Sequence, residues 1–299
     1  MRNYRLGIIA AAFALLFTCG VAVGQELPMG PTHNNGDSVT GAFEGWFPNA
    51  DGTFTILVGY FNRNLKQAVD IPIGPNNHVD PGGPDQGQPT HFFPGRGWGM
   101  FTIKVPKDFG NKVITWTITS NGETNTVPMN LQGVERIAPF VDAADDTPAY
   151  MGFSDAGPFV NGPIGQSESL TAKVGTPLPL TIWVADDNKA PALPTTPAAG
   201  GFDIPDFATF FGPVSSHWTL YRGPAPVKID NERPKTTKLT ELKAAPSGTV
   251  FFGTITNNIT FSQPGQYMLN VQAYDSTGMG GGGFQCCWTN AYVKVDVAP

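Results

Sequence analysis

Cys286 and Cys287 stand side by side near the end of a 299-residue chain whose only other cysteine is Cys19. On a strand, neighbours point to opposite faces, which sends one thiol to the core and the other outward. A bond between the two would close an eight-membered ring, far from ordinary disulfide geometry and readily reduced. A bond to a second chain is the other oxidised outcome, and a free pair of thiolates would suit copper(I) or zinc. No Cys-x-x-Cys and no Cys/His cluster narrows the choice.

A second set lies between Pro72 and Gly97, a long stretch rich in Pro and Gly. His78, Asp80 and His91 supply imidazole and carboxylate, a donor set for zinc or copper if they converge. Asn77, Asp85, Arg96 and the following Trp98 are polar and aromatic groups of the kind found in binding loops, as is Trp288 beside the cysteines. The spacing matches no named metal motif, and turn hydrogen bonding is the alternative use of such residues. A third set is acidic: Asp145-Asp146 in a Pro/Gly-rich connection, and Asp186-Asp187 and Asp275 where strand patterns stop.

Familiar catalytic arrangements are missing. There is no Gly-x-Ser-x-Gly, no His-Glu-x-x-His and no recognised Cys/His pairing. The Gly278 to Gly283 run lacks the Lys-Ser/Thr of a phosphate loop and precedes a strand pattern. A carbohydrate-active or other hydrolase would have to build its site in the 72–97 loop.

The elements that must position these groups read as strands. Gly and Pro supply 36 and 28 residues, and charged residues only 14%, which disfavours helices. Phe54, Ile56, Val58 and Tyr60 alternate with other positions, as do Ile114, Trp116 and Ile118, then Leu178, Leu180, Ile182 and Val184. Asn121-Gly122 between two such runs predicts a two-residue hairpin. Tyr267, Leu269, Val271 and Ala273, followed by Val293, Val295 and Val297, predict a final hairpin with the cysteines at its mouth.

The first residues read as an export signal. Arg2 and Arg5 precede an apolar Leu6 to Phe17, and Ala22-Val23-Gly24 offers small residues for cleavage before Gln25. Cys19 keeps a lipoprotein reading open, although Leu16-Phe17-Thr18 fits a lipobox poorly. Arg2 and Arg5 are two of 18 basic residues, so cleavage takes the net charge from −6 to −8. That charge argues against nucleic acid and anionic membrane as partners.

Over residues 167–299 the order of elements resembles the immunoglobulin-like and PKD-like sandwich modules of exported bacterial proteins. The likeness rests on the Gly175-Thr176-Pro177-Leu178 turn, the Trp218-Thr219-Leu220-Tyr221 strand, and Pro264-Gly265-Gln266-Tyr267 running into Ala273-Tyr274-Asp275. The whole chain is also similar to a group of exported bacterial proteins sharing Phe43-Glu44-Gly45-Trp46 and Gly283-Phe284-Gln285-Cys286-Cys287-Trp288, which implies export and no particular activity. The module resemblance implies that Asp186, Asp187 and Asp275 are placed where cadherin-like and PKD-like domains can hold calcium.

The resulting expectation is an all-β chain of two β-sandwich modules, the C-terminal one immunoglobulin/PKD-like, after a cleaved signal peptide. Its parts are a signal peptide (1–24), a leader (25–37), a sandwich-like domain (38–133), a linker (134–166) and the C-terminal sandwich (167–299). The expected role is non-catalytic binding or structural work in the periplasm, at the cell surface or outside the cell. The partner would be a protein or glycan, with no stable membrane span after cleavage. Metal binding through calcium, copper or zinc is the first alternative, the loop hydrolase the second.

Overall fold

Apolar alternation becomes strand at nearly every place the sequence offers it. The computed structural model describes residues 33–142, 145–189, 213–275, 277 and 285–299. The signal-peptide reading, residues 25–32 of the leader, the 190–212 stretch and the Gly278 to Gly283 run lie outside the described residues. Eight strands form the N-terminal part: β1 (Val39–Pro48), β2 (Phe54–Asn62), β3 (Val69–Asp70), β4 (Asn77–Asp80), β5 (His91–Phe92), β6 (Gly95–Val105), β7 (Ile114–Ser120) and β8 (Glu123–Met129). They pair as β1-β2-β6, β4-β7-β8 and the small β3-β5. Trp46, Ile56, Val58, Tyr60, Phe101 and Trp116 belong to the core they enclose. The β7-β8 turn has φ of 50° at Asn121 and 84° at Gly122, the positive pair an Asn-Gly hairpin requires.

The C-terminal part comprises β9 (Tyr150–Gly152), β10 (Gln166–Lys173), β11 (Leu178–Asp186), β12 (Val214–Arg222), β13 (Val227–Ile229), β14 (Thr237–Lys238), β15 (Phe251–Phe261), β16 (Gly265–Asp275) and β17 (Trp288–Ala298). One sheet runs β10-β17-β16-β12 and the other β13-β15-β11-β9, with β14 also on β15. β9 pairs with β11, and β10 then pairs parallel with β17. The leading segment thus serves both sheets, an arrangement of the immunoglobulin kind. Trp218, Ile182, Ile255, Leu269, Val271 and Val293 lie in the core between them. The all-β expectation is met.

Two readings change in detail. The 72–97 stretch is not bare loop: it contains β4, registered Asn77↔Ile118 to Asp80↔Thr115 on β7, and β5, registered on β3. Strand β2 is buried on both faces, because Leu57 packs with Tyr274 and Trp288 of the C-terminal part. His33–Pro299 accordingly form one compact unit.

The junction depends on two β-bulges. The β1-β2 register jumps at Glu44, between Phe43↔Val58 and Gly45↔Leu57. The β2-β6 register jumps from Val58↔Phe101 to Tyr60↔Gly97, which lifts Trp98, Gly99 and Met100 out of the ladder. Their three carbonyls are taken up by the facing sheet. Gln272 Nε2 donates to Trp98 O at 2.6 Å, Asn290 Nδ2 to Gly99 O at 2.8 Å, and the Tyr292 hydroxyl to Met100 O at 2.8 Å. Gly99 N–H donates to Glu44 Oε2 at 2.8 Å, and Arg96 pairs with Glu44 Oε1. Burial lifts the Glu44 carboxyl to about 7, outweighing Arg96 and the Gly99 amide.

The Trp288 ring packs against the bulge at Gly99. A Cβ at Gly99, whose φ is +47°, would come within 2.7 Å of Trp288 Nε1. Gly99→Ala therefore combines overpacking, about 1–3 kcal/mol, with an unfavourable φ. Thermal melts of Gly99→Ala should fall by roughly 3–10 °C. Gly52→Ala, with φ +80° but open space around it, should lose less. Equal losses in the two variants would show that the Trp288 contact does not hold the junction.

Candidate functional site

Buried charge collects at one end of the C-terminal sandwich, where four pieces of chain meet. β11 ends in Asp186 and is followed by Asp187; β16 ends in Asp275; β17 begins after Cys286-Cys287; and the 142–147 segment runs in before β9. The backbone ties these together. Val250 N–H donates to Asp186 O at 2.8 Å, and Asp275 N–H to Cys287 O at 3.4 Å. Asp146 N–H donates to Asp142 Oδ1 at 3.0 Å and Asp142 N–H to Asp146 O at 3.0 Å, which closes the Asp142–Asp146 turn. Asp145 takes the left-handed φ of 63° within it.

The carboxylates are poorly satisfied. Asp146 and Asp186 are 1% exposed and Asp275 3%. As ionised carboxylates, both side-chain oxygens of Asp146, Oδ1 of Asp186 and Oδ2 of Asp275 have no hydrogen-bond donor, and a protonated Asp146 shares its proton with Asp187. The remaining oxygens are used locally: Asn188 N–H donates to Asp186 Oδ2, and Thr277 N–H and hydroxyl donate to Asp275 Oδ1. Thr147 donates to Asp187 Oδ2 at 3.0 Å, and Lys189 Nζ reaches Asp145 at 2.9 Å and Asp187 at 3.7 Å.

Burial and mutual repulsion show in the acidities. Burial first, then the negative charge of Asp275, then a side-chain hydrogen bond with Asp187 and the charges of Asp187 and Asp142, push Asp146 up to about 8. Burial, with Asp146 and Asp187 nearby, lifts Asp186 to about 7, against the Asn188 amide. Burial, with Asp186 and Asp142 nearby, lifts Asp275 to about 7, against the hydrogen bonds from Thr277. An unpaired buried polar group costs about 1–3 kcal/mol, and a charge more. Structures keep such groups where something else satisfies them.

Cys286 and Cys287 form a vicinal disulfide, so of the alternatives open in the sequence the bond between neighbours is the one present. Both are 1% exposed, and Cys287 has a φ of 81°. Cys287 Sγ lies 3.9 Å from Asp146 O. The disulfide thus lies against the acidic cluster.

The other sequence candidates are dispersed into pairs. His78 Nε2 lies 3.3 Å from Asp80 Oδ2 on β4, while His91 Nδ1 is 2.7 Å from Asp70 Oδ1 on β3. Asn77 is fully buried; its amide bridges Ile71 O and Pro89 O, and its oxygen accepts from Trp116 Nε1. Asp85 forms a two-pronged pair with Arg222 of β12 at 2.8 and 2.9 Å, which fastens the loop to the C-terminal sheet. Arg96 stacks over Trp98, 4.3 Å from the ring centroid. His91 and Arg96 line an open cleft of about 740 Å³ with Lys66, Phe93, His217 and Arg233, and His78 and Asp80 are not part of its lining. Burial, then Arg233, brings His217 down to about 4.

Asp186, Asp187 and Asp275 do come together, as their strand-end positions suggested. Asp142 and Asp146 complete the pocket from outside the C-terminal sandwich pattern. Their signal was the Asp142-Ala-Ala-Asp-Asp146 run in a connecting segment, which periodicity alone does not connect to a strand end.

No family model and no curated protein matches the chain. Among solved structures it is similar to the D00-D0 domain of intimin, at 11% identity and a TM-score of 0.24, covering 91% of this chain and 97% of that one. It is similar to CfaE, the adhesive subunit of the CFA/I fimbria of enterotoxigenic Escherichia coli, at 8% identity and a TM-score of 0.26, covering 91% and 82%. Cadherin-like domains 1 to 4 of zebrafish RET align at 12% identity and a TM-score of 0.24, covering 81% of this chain and 47% of that one. Likeness of this degree transfers no site, ligand or partner. Among the described residues no helix is long and apolar enough to cross a membrane.

Proposed function

We propose that the protein is an exported, non-catalytic binding or structural β protein whose junction end is set by a hard divalent cation, calcium by its chemistry. The single supporting observation is the buried carboxylate cluster: four side-chain oxygens of Asp146, Asp186 and Asp275 that, when ionised, receive no hydrogen bond from the protein, with Asp142 and Asp187 beside them. An all-oxygen donor set is what calcium takes, at six to eight ligands. Asp142 and Asp146 belong to the segment between the two β parts, and Asp275 leads toward Cys287 and Trp288, so a cation here would brace the junction. A protein or glycan partner fits the open cleft beside Arg96 and His217, which joins residues of both parts.

Calcium titration by calorimetry and by thermal melting checks the cation. At a hundredfold excess over Kd, binding adds about 2.7 kcal/mol, or roughly 5–10 °C. Asp146→Asn should act in opposite directions in the two states: more stable than wild type in chelator at high pH, because a repelling charge is gone, and less responsive to calcium. No heat of binding and no rise in melting temperature at millimolar calcium would remove the reading.

Without cation the pocket also sets a pH dependence. Asp146, Asp186 and Asp275 have folded values above the ordinary 3.8. The folded state therefore holds protons that the unfolded chain releases, and this contribution is complete below 3.8 and lost as pH rises through about 7 to 8. In chelator, wild-type melting temperature should drop from about pH 5 to about pH 8, and Asp146→Asn should drop less. Calcium, competing with protons for the same oxygens, should stabilise most at the alkaline end. A wild type and variant with parallel pH profiles would place the titrating groups elsewhere.

A further inference from the structure

The disulfide and the carboxylates meet at one point. Cys287 Sγ and one oxygen each of Asp142 and Asp146 lie within 4.8 Å of one another. Among the described residues this is the only group of three His, Cys, Asp or Glu ligand atoms so gathered. Asp146 and Cys287 are each 1% exposed, and neither side-chain oxygen of an ionised Asp146 receives a hydrogen bond. While Cys287 is bonded to Cys286, its sulfur is neutral and a weak donor, since the thiolate is the form that binds metal. The oxidised pocket then offers a cation only oxygen.

We propose that reduction of the Cys286–Cys287 bond turns this pocket into a mixed thiolate–carboxylate site for a soft divalent cation of the zinc class, with Cys287, Asp142 and Asp146 as ligands. The proposal rests on the cation reading of the same pocket and extends it to a second oxidation state. The reductant is a dithiol. The protein's sulfur–sulfur bond breaks and one forms within the dithiol, two electrons pass to the cysteines, and the dithiol's two protons end on Cys286 and Cys287. Cation binding then releases the Cys287 proton to solvent. Tetrahedral zinc, with ligands about 2.0–2.3 Å away, holds its donor atoms about 3.3–3.8 Å apart, so the three need to close by about 1 Å. The fourth position falls to water. Sulfur in the set shifts preference from calcium, which takes oxygen alone, toward zinc and cadmium.

The test uses the full chain with Cys19→Ser, so that Cys286 and Cys287 are the only sulfurs able to form a disulfide or bind as thiolate. Oxidised protein should have an intact mass two hydrogens below the reduced form and resist alkylation. Oxidised protein and protein reduced by a phosphine, which takes its oxygen from water and does not chelate, are each equilibrated with cadmium and freed of excess. Reduced protein should bind cadmium with the ultraviolet charge-transfer absorption of one cadmium–thiolate bond per chain, and oxidised protein, which offers a cation oxygen alone, should show none of that absorption whether or not it holds cadmium. Cys286→Ser leaves Cys287 permanently free and should bind cadmium with no reductant, which keeps the test open if reduction unfolds the wild type. Cys287→Ser should show no cadmium–thiolate absorption. Folded Cys286→Ser without cadmium–thiolate absorption, or thiolate absorption that survives Cys287→Ser, overturns the proposal. Calcium titration of the oxidised protein is read separately: its failure removes the calcium reading and leaves the thiolate result to stand alone.

Discussion

Three consecutive carbonyls, those of Trp98, Gly99 and Met100, leave the β6 ladder and must find donors in a place water does not reach. Everything at the junction follows from how they are satisfied. Gln272, Asn290 and Tyr292 project from the outward face of the C-terminal sheet and each takes one. Asn290 also donates to Pro163 O at 2.7 Å, and its oxygen accepts from Gln272, so the donors are themselves held in place. On the other side the bulged residue of β1, Glu44, accepts the Gly99 amide, and Gly59 makes room for it: a Cβ there would collide with Glu44 Oε1. Buried backbone polar groups are almost always paired, so a bulge this deep is stable only with its partners present. The N-terminal sheet and the outward face of β16 and β17 therefore define each other.

That contact fixes the start of β17, and with it the acidic end. Trp288 is pressed on Gly99, Cys287 precedes it at a positive φ, and the bond to Cys286 holds that backbone where the Asp146 carbonyl reaches its sulfur. The Asp142–Asp146 turn is brought in by the same chain that joins the two β parts. A fold seeking only stability would not leave four carboxylate oxygens buried and unpaired at such a junction, since neutral or apolar residues would cost less. With its carboxyls lifted by burial to about 7 and 8, the cluster answers to pH, and the cation proposed above would compete for the same oxygens. Both effects make the junction responsive to its surroundings, because the groups that answer to pH or metal sit on the segment linking the parts.

Much of the fold was legible because local periodicity encodes strands. The Phe54 to Asn62, Val113 to Thr119 and Gly265 to Asp275 runs alternate cleanly, and Asn121-Gly122 is one of the few pairs a two-residue turn with positive φ at both positions accepts. Pairing at long range was not legible. Nothing in the 72–97 sequence says that Asn77 to Asp80 will lie on β7, or that Asp85 will reach Arg222, because neither partner leaves a local trace. The candidate site divides in the same way. Asp186 and Asp275 could be placed by the strands they end, whereas Asp142 and Asp146 sit in a connection and acquire meaning only from what folds against it.

The outward residues of β16 and β17 show why a polar residue on a strand is ambiguous. Asn270, Gln272 and Asn290 alternate with apolar neighbours, the pattern of a strand with one face in water. Each is at most 1% exposed, and Gln272 and Asn290 serve as donors to another part of the chain. An apolar face would have bound many surfaces with little regard for register. A face of amides fits only where carbonyls stand unpaired at matching spacing, and elsewhere it would bury unsatisfied groups at about 1–3 kcal/mol each. The bulge supplies that spacing once. The polarity that reads as solvent exposure in sequence is therefore what restricts the two β parts to a single arrangement, and a single arrangement is what allows residues from four pieces of chain to meet in one cluster.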